Sequence, residues 1–403
     1  LVFVLYRVAM GAALLYFFNF IDFSFEVFNA FLLLAPCDPL YAHPTGVVLP
    51  MGISFFTLQA IAYAVDVYRG TIPAGRLYSF AMFLSFFPQL VAGPIMRAQD
   101  LLHQFEQRHR FTYENFRAGM GLIALGLFKK SMMADPAGEV VDLVYANPGA
   151  YSWDALWIAA ILHAFQIYGD FSGYSDIAIG TGRIMGFHIP INFNRPFLAV
   201  DVGDIWRRWH ISLSSWLRDY VYIPLGGGRV SPLRTYINVF ITMFVSGIWH
   251  GAGLNFVLWG ALHSIVVVIE RFVFSFGSID RFWKERLPRV VKIAYSFAIF
   301  SFALFFCRGR PVEGIGDAAD VGFFMAERSL SFAAGSGVAV PGSLLLIIAL
   351  LMGTEVMNER RKDYFEPLLA REWLFWTLVG VIVSYCLLLY SVTDSAPFVY
   401  FQF

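Results

Sequence analysis

The sequence predicts an all-α protein that crosses a membrane many times. Hydrophobic residues make up 58% of the 403 positions and only 14% are charged, against about 25% in ordinary soluble domains. Apolar stretches close to the roughly 20 residues that span a bilayer as a helix recur along the whole chain. Phenylalanine alone occurs 43 times, and aromatic side chains suit both lipid-facing helices and membrane interfaces. These observations exclude an ordinary soluble domain.

The predicted membrane helices are nine apolar stretches, several of which are shorter than a full span. They are residues 1–20, 49–67, 116–133, 156–171, 237–249, 256–274, 291–306, 343–357 and 373–389. Re-entrant segments add to these spans, so we expect about nine to eleven transmembrane or re-entrant helices. The sequence shows no internal repeat and no low-complexity tract. Residues 1–403 are therefore predicted to form a single membrane-embedded domain.

Residues 77–96 are apolar but are interrupted by Pro88, Gly93 and Pro94. Proline removes a backbone donor and clashes with the preceding turn, so a straight helix through this stretch is excluded. Irregular backbone is tolerated at membrane depth only where it packs against protein or lines a watery cavity. We therefore expect a kinked or re-entrant segment here.

Residues 201–228 are unusual because they combine many charged residues with three tryptophans. At helical spacing, Trp206, His210, Leu213 and Leu217 fall on one face, since residues three and four apart are neighbours on a helix. This pattern predicts an amphipathic or re-entrant helix rather than a plain span.

Two Trp-His dipeptides carry the strongest functional signal. Trp209-His210 lies in the polar segment, and Trp249-His250 ends an apolar stretch. A titratable side chain at membrane depth is costly and usually has a task, and an imidazole can accept and return a proton near neutral pH. We expect the two histidines to share an intramembrane site. The alternative for each is a structural histidine that bonds a neighbouring carbonyl, and it weighs more for His210, whose adjacent arginines indicate an interface.

Further candidates for the lining of this site lie in or near the two motifs or are polar residues in apolar surroundings. They are Trp206, Trp209, Trp249, Arg218, Asp219, Asp170, Asp176 and His263. Asp170 and Asp176 belong to a polar stretch, residues 169–176, that contains two glycines. We interpret the polar side chains of this stretch as groups whose hydrogen bonds hold the two halves of a broken helix together. The alternative is a proton or ion path of the kind found in transporters.

Several other functions are disfavoured by the sequence. No two histidines have the H-x-x-x-H spacing of a helical zinc site, and no G-x-S-x-G motif of a serine hydrolase occurs. Cys37, Cys307 and Cys386 are widely separated, which predicts buried free thiols rather than a disulfide framework. The formal net charge is zero, so nothing points to nucleic acid. We predict no metal ion and no tightly bound cofactor.

The distribution of basic residues predicts an orientation in the membrane. The connections at residues 275–290 and 358–372 each contain four basic residues, and two predicted helices separate them. Both connections therefore lie on one side, which the positive-inside rule makes the cytoplasm. The C-terminal tail is then expected on the opposite side.

Residues 206–220 (WRRWHISLSSWLRDY) followed by residues 247–251 (GIWHG) resemble the signature of the membrane-bound O-acyltransferase family. Other segments resemble the bacterial polysaccharide branch of this family, which includes the membrane protein of alginate O-acetylation. They are residues 50–56, 66–70, 87–95, 169–176 and 398–403. The resemblance extends over nearly the whole chain. Family members have further membrane helices before the position of Leu1, so we expect N-terminal helices upstream of residue 1.

The resemblance implies a helical membrane fold around a central funnel or tunnel, with the histidines near its middle. His250 matches the near-invariant histidine of the family and His210 its frequent partner. The implied activity is O-acyl transfer from acetyl-CoA on the cytoplasmic side of a bacterial inner membrane toward an exported polysaccharide, directly or through a periplasmic acyltransferase partner. His250 would act as the general base or briefly carry the acyl group, and His210 would orient it or stabilise the oxyanion.

Two alternatives stay open at this point. The Gram-positive branch of the family transfers D-alanine from a small carrier protein to teichoic acid. A transporter or conduit without covalent chemistry is the alternative from another class, with Asp170 and Asp176 on its path. The sequence specifies neither the polysaccharide nor the acyl chain.

Overall fold

The computed structural model describes residues 10–13, 16, 24, 52–308, 310–360 and 370–392. These residues contain fifteen α-helices, and no β-strand occurs among them. The predicted all-α class is confirmed. The predicted span at residues 1–20, most of the basic connection after Arg360, and the C-terminal tail lie outside the described residues.

The helices are numbered in chain order. They are α1 (Ile53–Tyr68), α2 (Leu77–Leu84), α3 (Ala98–Phe105), α4 (Tyr113–Phe128), α5 (Asp135–Ala146), α6 (Trp153–Ile184), α7 (Val202–Arg208), α8 (Ile211–Leu217), α9 (Pro232–His250), α10 (Leu254–Val273), α11 (Gly277–Arg281), α12 (Arg289–Cys307), α13 (Ala318–Leu330), α14 (Gly342–Arg360) and α15 (Glu372–Val392). A π-helical turn, Lys129–Ala134, joins α4 to α5, and another, Arg218–Tyr222, follows α8.

The predicted membrane helices correspond closely to observed ones. Each of the eight predicted spans after residue 20 overlaps a described helix. Among the described residues, α10, α12, α14 and α15 are long and apolar enough to cross a membrane by length and composition. The chain is a polytopic membrane protein, as the low content of charged residues predicted.

The expected helix break at residues 169–176 is wrong. α6 continues through this stretch without interruption over 32 residues. The irregular backbone lies instead in the facing helices, at the π-helical turn between α4 and α5. A Cβ atom added to Gly173 would lie 2.7 Å from the carbonyl oxygen of Gly126, so the glycine allows α6 to pack directly against the backbone of α4.

The polar side chains of this stretch are paired with the π-helical turn. Asp170 lies 2.7 Å from the Nζ atom of Lys130, and Asp176 lies 2.7 Å from that of Lys129. Lys130 also contacts Asp135 at 2.8 Å. Buried charges require such partners, because removing a single charge from water costs several kcal/mol. The predicted stitching role is present, although it joins two helices rather than the halves of a broken one.

The apolar segment at residues 77–96 is interrupted as predicted. α2 ends at Leu84, and turns carry the chain past the two prolines. The freed backbone groups find partners in protein: Gln89 donates to the carbonyl of Phe83 at 3.0 Å, and the N–H of Ile95 donates to Ser212 Oγ at 2.9 Å. This segment therefore packs against α8.

The expected single amphipathic helix in residues 201–228 is wrong, because the chain breaks at His210. α7 ends at Arg208 and α8 begins at Ile211, while His210 adopts a left-handed conformation with φ 45° and ψ 52°. The segment at residues 192–194 bonds to the backbone on both sides of the break. The N–H of Ile211 donates to the carbonyl of Asn192 at 2.9 Å, and the N–H of Asn194 donates to that of Arg208 at 2.8 Å. These bonds replace the helical ones.

Helices α9 and α10 form a tight antiparallel pair beside this break. A Cβ atom added to Gly247 would lie 2.3 Å from the Cα atom of Gly260, so the two helices touch through their glycines. Glu270 of α10 also accepts hydrogen bonds from the N–H groups of Val202 and Gly203, at 3.0 and 3.2 Å. This carboxylate holds the start of α7 against α10 and so fixes the two histidine-bearing segments relative to each other.

The helix ends next to the two basic connections lie side by side. Arg289, at the start of α12, lies 2.5 Å from Glu359 near the end of α14, and Arg208 lies 3.6 Å from the same carboxylate. The described parts of the two connections therefore share one side of the molecule, as the spacing of the helices predicted.

Candidate active site

His250 is the last residue of α9, and its ring orientation is fixed by the helix itself. The Nδ1 atom lies 2.6 Å from the carbonyl oxygen of Ser246, one turn earlier. A carbonyl oxygen can only accept a hydrogen bond, so Nδ1 carries the proton. In the neutral imidazole the lone pair is therefore at Nε2, which is the nitrogen able to accept a proton from a substrate.

His210 is completely buried, and Asn192 holds its ring. Asn192 Oδ1 accepts hydrogen bonds from the N–H and the hydroxyl of Ser212, at 3.1 and 2.8 Å, which identifies it as the amide oxygen. It lies 3.3 Å from His210 Nδ1. Nδ1 is therefore the protonated nitrogen here as well. The Nε2 atom is buried without a hydrogen-bond partner.

The structure brings the two histidines together. Their ring centroids are 6.4 Å apart, although forty positions separate them in the sequence. The indole of Trp249 packs against both rings, with centroid distances of 5.9 Å to His210 and 5.2 Å to His250. Its N–H is buried and has no acceptor. Two ring nitrogens with lone pairs and one free N–H donor are therefore close together, and their catalytic role stays a prediction.

The other aromatic residues predicted for the site form a cluster near His250. Trp209 packs against Phe193 and Phe300, each at 5.1 Å. Trp206 and His263 are 5.1 Å apart.

Trp259, which the sequence analysis did not single out, connects these residues to the candidate site. Its ring centroid is 4.9 Å from those of both His250 and His263. His263 is fully buried, and neither ring nitrogen has a hydrogen-bond partner.

The predicted charged candidates divide into two groups. Asp170 and Asp176 face the lysines of the π-helical turn. Asp219 lies 3.0 Å from Arg97 and 2.7 Å from Arg218, at the far end of α8 from His210. Arg218 itself lines a large cavity on the molecule.

This larger cavity has a volume of about 570 Å³ and lies between α7, α8, α9 and α10. Three arginines line it: Arg207, Arg218 and Arg271. The side chains of Arg207 and Arg218 are 66% and 62% exposed. Arg207 is paired with Asp201 and Asp204, and Arg218 with Asp219. Its wall continues along α9 to Ser246, which carries the carbonyl that binds His250.

A smaller cavity of about 30 Å³ adjoins His250 directly. Its lining is apolar and aromatic and includes Trp209, Trp259, Phe300 and Leu304. The two cavities share no lining residue, and Trp206 of the larger one packs on Trp259 of the smaller one at 5.7 Å. The histidine site therefore has a spacious charged cavity one helical turn away and a small apolar cavity in contact with it.

The arrangement suits proton transfer and nucleophilic chemistry. Within the described residues, no group of three or more histidine, cysteine, aspartate or glutamate side chains could hold a metal ion.

Asn192, Ser212 and Trp259 were missed by the sequence analysis. Asn192 lies eighteen residues before His210 in an irregular connection, and no local pattern indicates which distant side chain it will contact.

Comparison with known proteins gives one family match and several relatives. Residues 75–308, which include both histidines, match the membrane-bound O-acyltransferase family. A probable alginate O-acetylase AlgI of Pseudomonas fluorescens is 46% identical over 288 residues, which cover 71% of this chain and 57% of that protein. A probable alginate O-acetylase AlgI of Pseudomonas putida is 43% identical over 265 residues, covering 66% and 54%.

More distant relatives carry other names. A peptidoglycan O-acetyltransferase of Helicobacter pylori is 34% identical over 330 residues, covering 75% of this chain and 61% of that protein. A teichoic acid D-alanyltransferase of Streptococcus thermophilus is 29% identical over 264 residues, covering 59% and 61%. The chain spans about half the length of the alginate O-acetylases that it matches.

Proposed function

The chain belongs to the membrane-bound O-acyltransferase family, and from this membership we propose that it moves an acetyl group from cytoplasmic acetyl-CoA across the membrane toward an exported polysaccharide. Transfer is direct or passes through a periplasmic acyltransferase partner, and the membrane is a bacterial inner membrane. The observation that carries the proposal is the proximity of the fully buried His210 to the partly buried His250, with ring centroids 6.4 Å apart.

In the proposed reaction His250 is the general base. Its Nε2 atom accepts the proton of the acceptor hydroxyl, whose oxygen attacks the carbonyl carbon of the thioester. The carbon–sulfur bond then breaks, and the departing CoA thiolate takes the proton back from Nε2. The products are the acyl ester and free CoA. The Nδ1 contact with Ser246 supports this role, because it keeps the lone pair at Nε2. A variant of the scheme has Nε2 attack the thioester and carry the acyl group briefly.

His210 orients the acceptor in this proposal. Its contact with Asn192 leaves a lone pair at Nε2, so the neutral ring accepts a hydrogen bond from a second hydroxyl of the saccharide acceptor rather than donating one to an oxyanion. The N–H of Trp249, buried without an acceptor between both histidines, is the better candidate for oxyanion stabilisation. A donor of this kind typically contributes roughly 10²–10³ in rate.

The larger cavity is suited to the donor. Guanidinium groups match the geometry of phosphate oxygens, and the CoA end of the donor carries several phosphates. Arg207, Arg218 and Arg271 line the cavity near solvent, whereas Ser246 lies at the end near His250. About seven residues of α9 separate Val239 from Ser246, or roughly 10 Å along the helix. Arg271 also adjoins the basic connection that we expect to face the cytoplasm.

D-alanyl transfer to teichoic acid is the second candidate, because relatives of 29% and 23% identity bear that name. The phosphate of a carrier-bound donor could use the same arginines, so the cavity does not separate the two. The transporter alternative has no comparable support, because Asp170 and Asp176 are paired with lysines.

The experiment is acyl transfer by the full-length protein, purified into lipid nanodiscs. Acetyl-CoA with a labelled acetyl group is supplied with an oligosaccharide acceptor, and labelled ester is measured; the periplasmic partner is added in a parallel reaction. We expect label in the saccharide with wild-type protein and none with His250→Ala. Transfer from a D-alanyl carrier protein, with no transfer from acetyl-CoA, would instead identify the second candidate.

A further inference from the structure

We propose that Glu355 of α14 is a positioning residue that holds His210 in place through Tyr168 and Trp209. The inference rests on the proposed acyl transfer, in which His210 orients the acceptor. It assigns a task to α14, a helix that carries neither candidate histidine and lines neither of the two cavities described above.

Helix α14 buries little of its surface in the rest of the molecule. Only three of its 19 residues are buried, namely Leu344, Leu351 and Glu355, whereas Leu346 and Leu350 are 61% and 56% exposed. The helix is long and apolar enough to span a membrane, where an ionisable side chain is costly and usually serves a function. Packing alone therefore does not explain a buried carboxyl group on this helix.

The side chain of Glu355 is bonded to Tyr168 of α6. The Tyr168 hydroxyl donates a hydrogen bond to Oε1 of Glu355, and Tyr168 and Glu355 are 3% and 8% exposed. The second carboxyl oxygen, Oε2, is buried and has no hydrogen-bond partner among the described residues. An unsatisfied buried polar atom lowers stability, so an apolar pair of similar shape would hold the two helices together at least as well. The bond is better explained by its effect on the position of Tyr168.

Tyr168 connects α14 to the His210 site. Its ring packs on Trp209 at 6.1 Å and on Phe193 at 5.8 Å. Trp209 precedes His210 in the chain, and Phe193 follows Asn192, whose amide oxygen lies 3.3 Å from Nδ1 of His210. A phenol ring bonded to α14 therefore fixes both of the segments that determine where the His210 ring lies.

A second acidic residue keeps α14 beside the same segment. Glu359, one helical turn after Glu355, lies 3.6 Å from Arg208, the last residue of α7. Because the chain breaks at His210, a continuous helix does not hold its ring in place. Contacts from other elements, among them those from α14, therefore decide the position of the ring.

The test separates positioning from stability. Four proteins are purified into lipid nanodiscs: the wild type, Tyr168→Phe, Glu355→Gln and the double variant Tyr168→Phe/Glu355→Leu. Transfer from acetyl-CoA to the acceptor used by the wild type is measured at several donor concentrations. For each protein, kcat, the KM for acetyl-CoA and the temperature of thermal unfolding are determined.

Tyr220→Phe is the matched control. The Tyr220 hydroxyl also donates to a buried carboxylate, that of Asp66, at 2.7 Å. Tyr220 lies on the π-helical turn after α8, and its ring packs on Trp216. This variant thus loses a bond of the same kind at a different place, and its kcat should equal that of the wild type.

Tyr168→Phe should lower kcat at least about tenfold, because misplacing a reacting group by about 1 Å costs roughly 10²-fold. Its KM for acetyl-CoA should be unchanged, since neither residue of the bond lines the larger cavity. Glu355→Gln should keep most of the wild-type kcat, because the amide oxygen accepts the same hydrogen bond. The double variant should unfold near the wild-type temperature, since no unpaired polar atom remains, and should still have the low kcat.

Three results would overturn the inference while leaving acyl transfer intact. The first is a wild-type kcat in Tyr168→Phe. The second is recovery of both stability and kcat in the double variant, because the bond would then serve folding alone; this variant also decides the matter if Tyr168→Phe does not fold. The third is an equal loss of kcat in Tyr220→Phe, because the effect would then have no local origin. If the wild type transfers no acetyl group, the proposed function fails and the inference fails with it.

Discussion

At the residue scale, the ring of His210 is aimed by an unusual backbone conformation. Its φ of 45° is in the left-handed region, where a non-glycine residue costs of order 1–3 kcal/mol unless its surroundings hold it. The bonds from the 192–194 segment hold it here. The His210 ring held in this way packs against Phe171 at 4.6 Å, Trp249 at 5.9 Å and His250 at 6.4 Å.

His250→Ala should abolish acyl transfer while the protein stays folded and inserted in the membrane. The substitution removes the imidazole whose Nε2 is proposed to accept the proton of the acceptor hydroxyl. Acetylation of product in cells is the measurement, with protein amounts determined on the same membranes. His103→Ala is the control, because His103 is an exposed residue of α3. Near-normal acetylation by well-expressed His250→Ala would contradict the assignment.

His210→Ala should reduce the rate by roughly 10²-fold and leave measurable activity, since misplacing a reacting group by about 1 Å costs about this much. His210→Asn should give a similar loss with better folding, because asparagine tolerates the left-handed conformation more readily. Initial rates of purified protein are the measurement, and thermal unfolding in detergent reports folding. Wild-type turnover in either variant would make His210 a structural residue.

At the scale of elements, the site depends on how closely two helices approach. His250 ends α9, and Trp259 and His263 lie on α10, so the distance between these helices sets the geometry around the His250 ring. Gly247 and Gly260 are the residues in contact. Because neither glycine has a side chain, the two helix backbones touch each other beside the candidate catalytic histidine.

Gly247→Ala should therefore lower both stability and activity, because the new Cβ atom would lie 2.3 Å from the Cα atom of Gly260 and must push α10 away. Gly353→Ala is the matched control: it also lies in a helix, and its added Cβ meets no atom within 4 Å. Thermal unfolding and acyl transfer are measured for both. Unfolding of Gly247→Ala at the wild-type temperature with full activity would show that the close contact is dispensable.

In the molecule as a whole, the arginine end of the larger cavity lies next to the two basic connections. The larger cavity contains Arg271 at the end of α10, next to the basic connection at residues 275–290, and the contact of Arg289 with Glu359 joins the two basic connections. His250 lies at the opposite end of the α9–α10 pair. A donor bound by the arginines would thus present its acyl end toward the far side, and the acyl group would cross the bilayer while CoA stays behind.

Cysteine labelling of intact cells tests this orientation. Reporter cysteines at Lys284 or Lys362 should resist a membrane-impermeant reagent, and one placed after Phe403 should react, because basic connections stay on the cytoplasmic side. Cys37 is replaced first, whereas Cys307 and Cys386 are buried. Permeabilised cells give the control, in which every reporter reacts. The reverse pattern in intact cells would overturn the orientation and the proposed direction of transfer.

The class of the protein, the positions of its long helices and the two candidate histidines follow from the amino-acid sequence alone. Composition and apolar length are local properties, and a Trp-His pair in an apolar stretch is visible without knowing what it contacts. Even the interruption at residues 77–96 followed from proline chemistry alone.

How these parts meet follows from contacts in the folded molecule. The break at His210 was missed because helical periodicity favours continuing the helix, and the competing hydrogen bonds come from Asn192 and Asn194 in a separate segment. The continuity of α6 through residues 169–176 was missed because its aspartates are compensated by lysines forty or more positions away. The cavities arise where four or more helices pack together. Contacts between distant segments decide such features, and no local pattern encodes them.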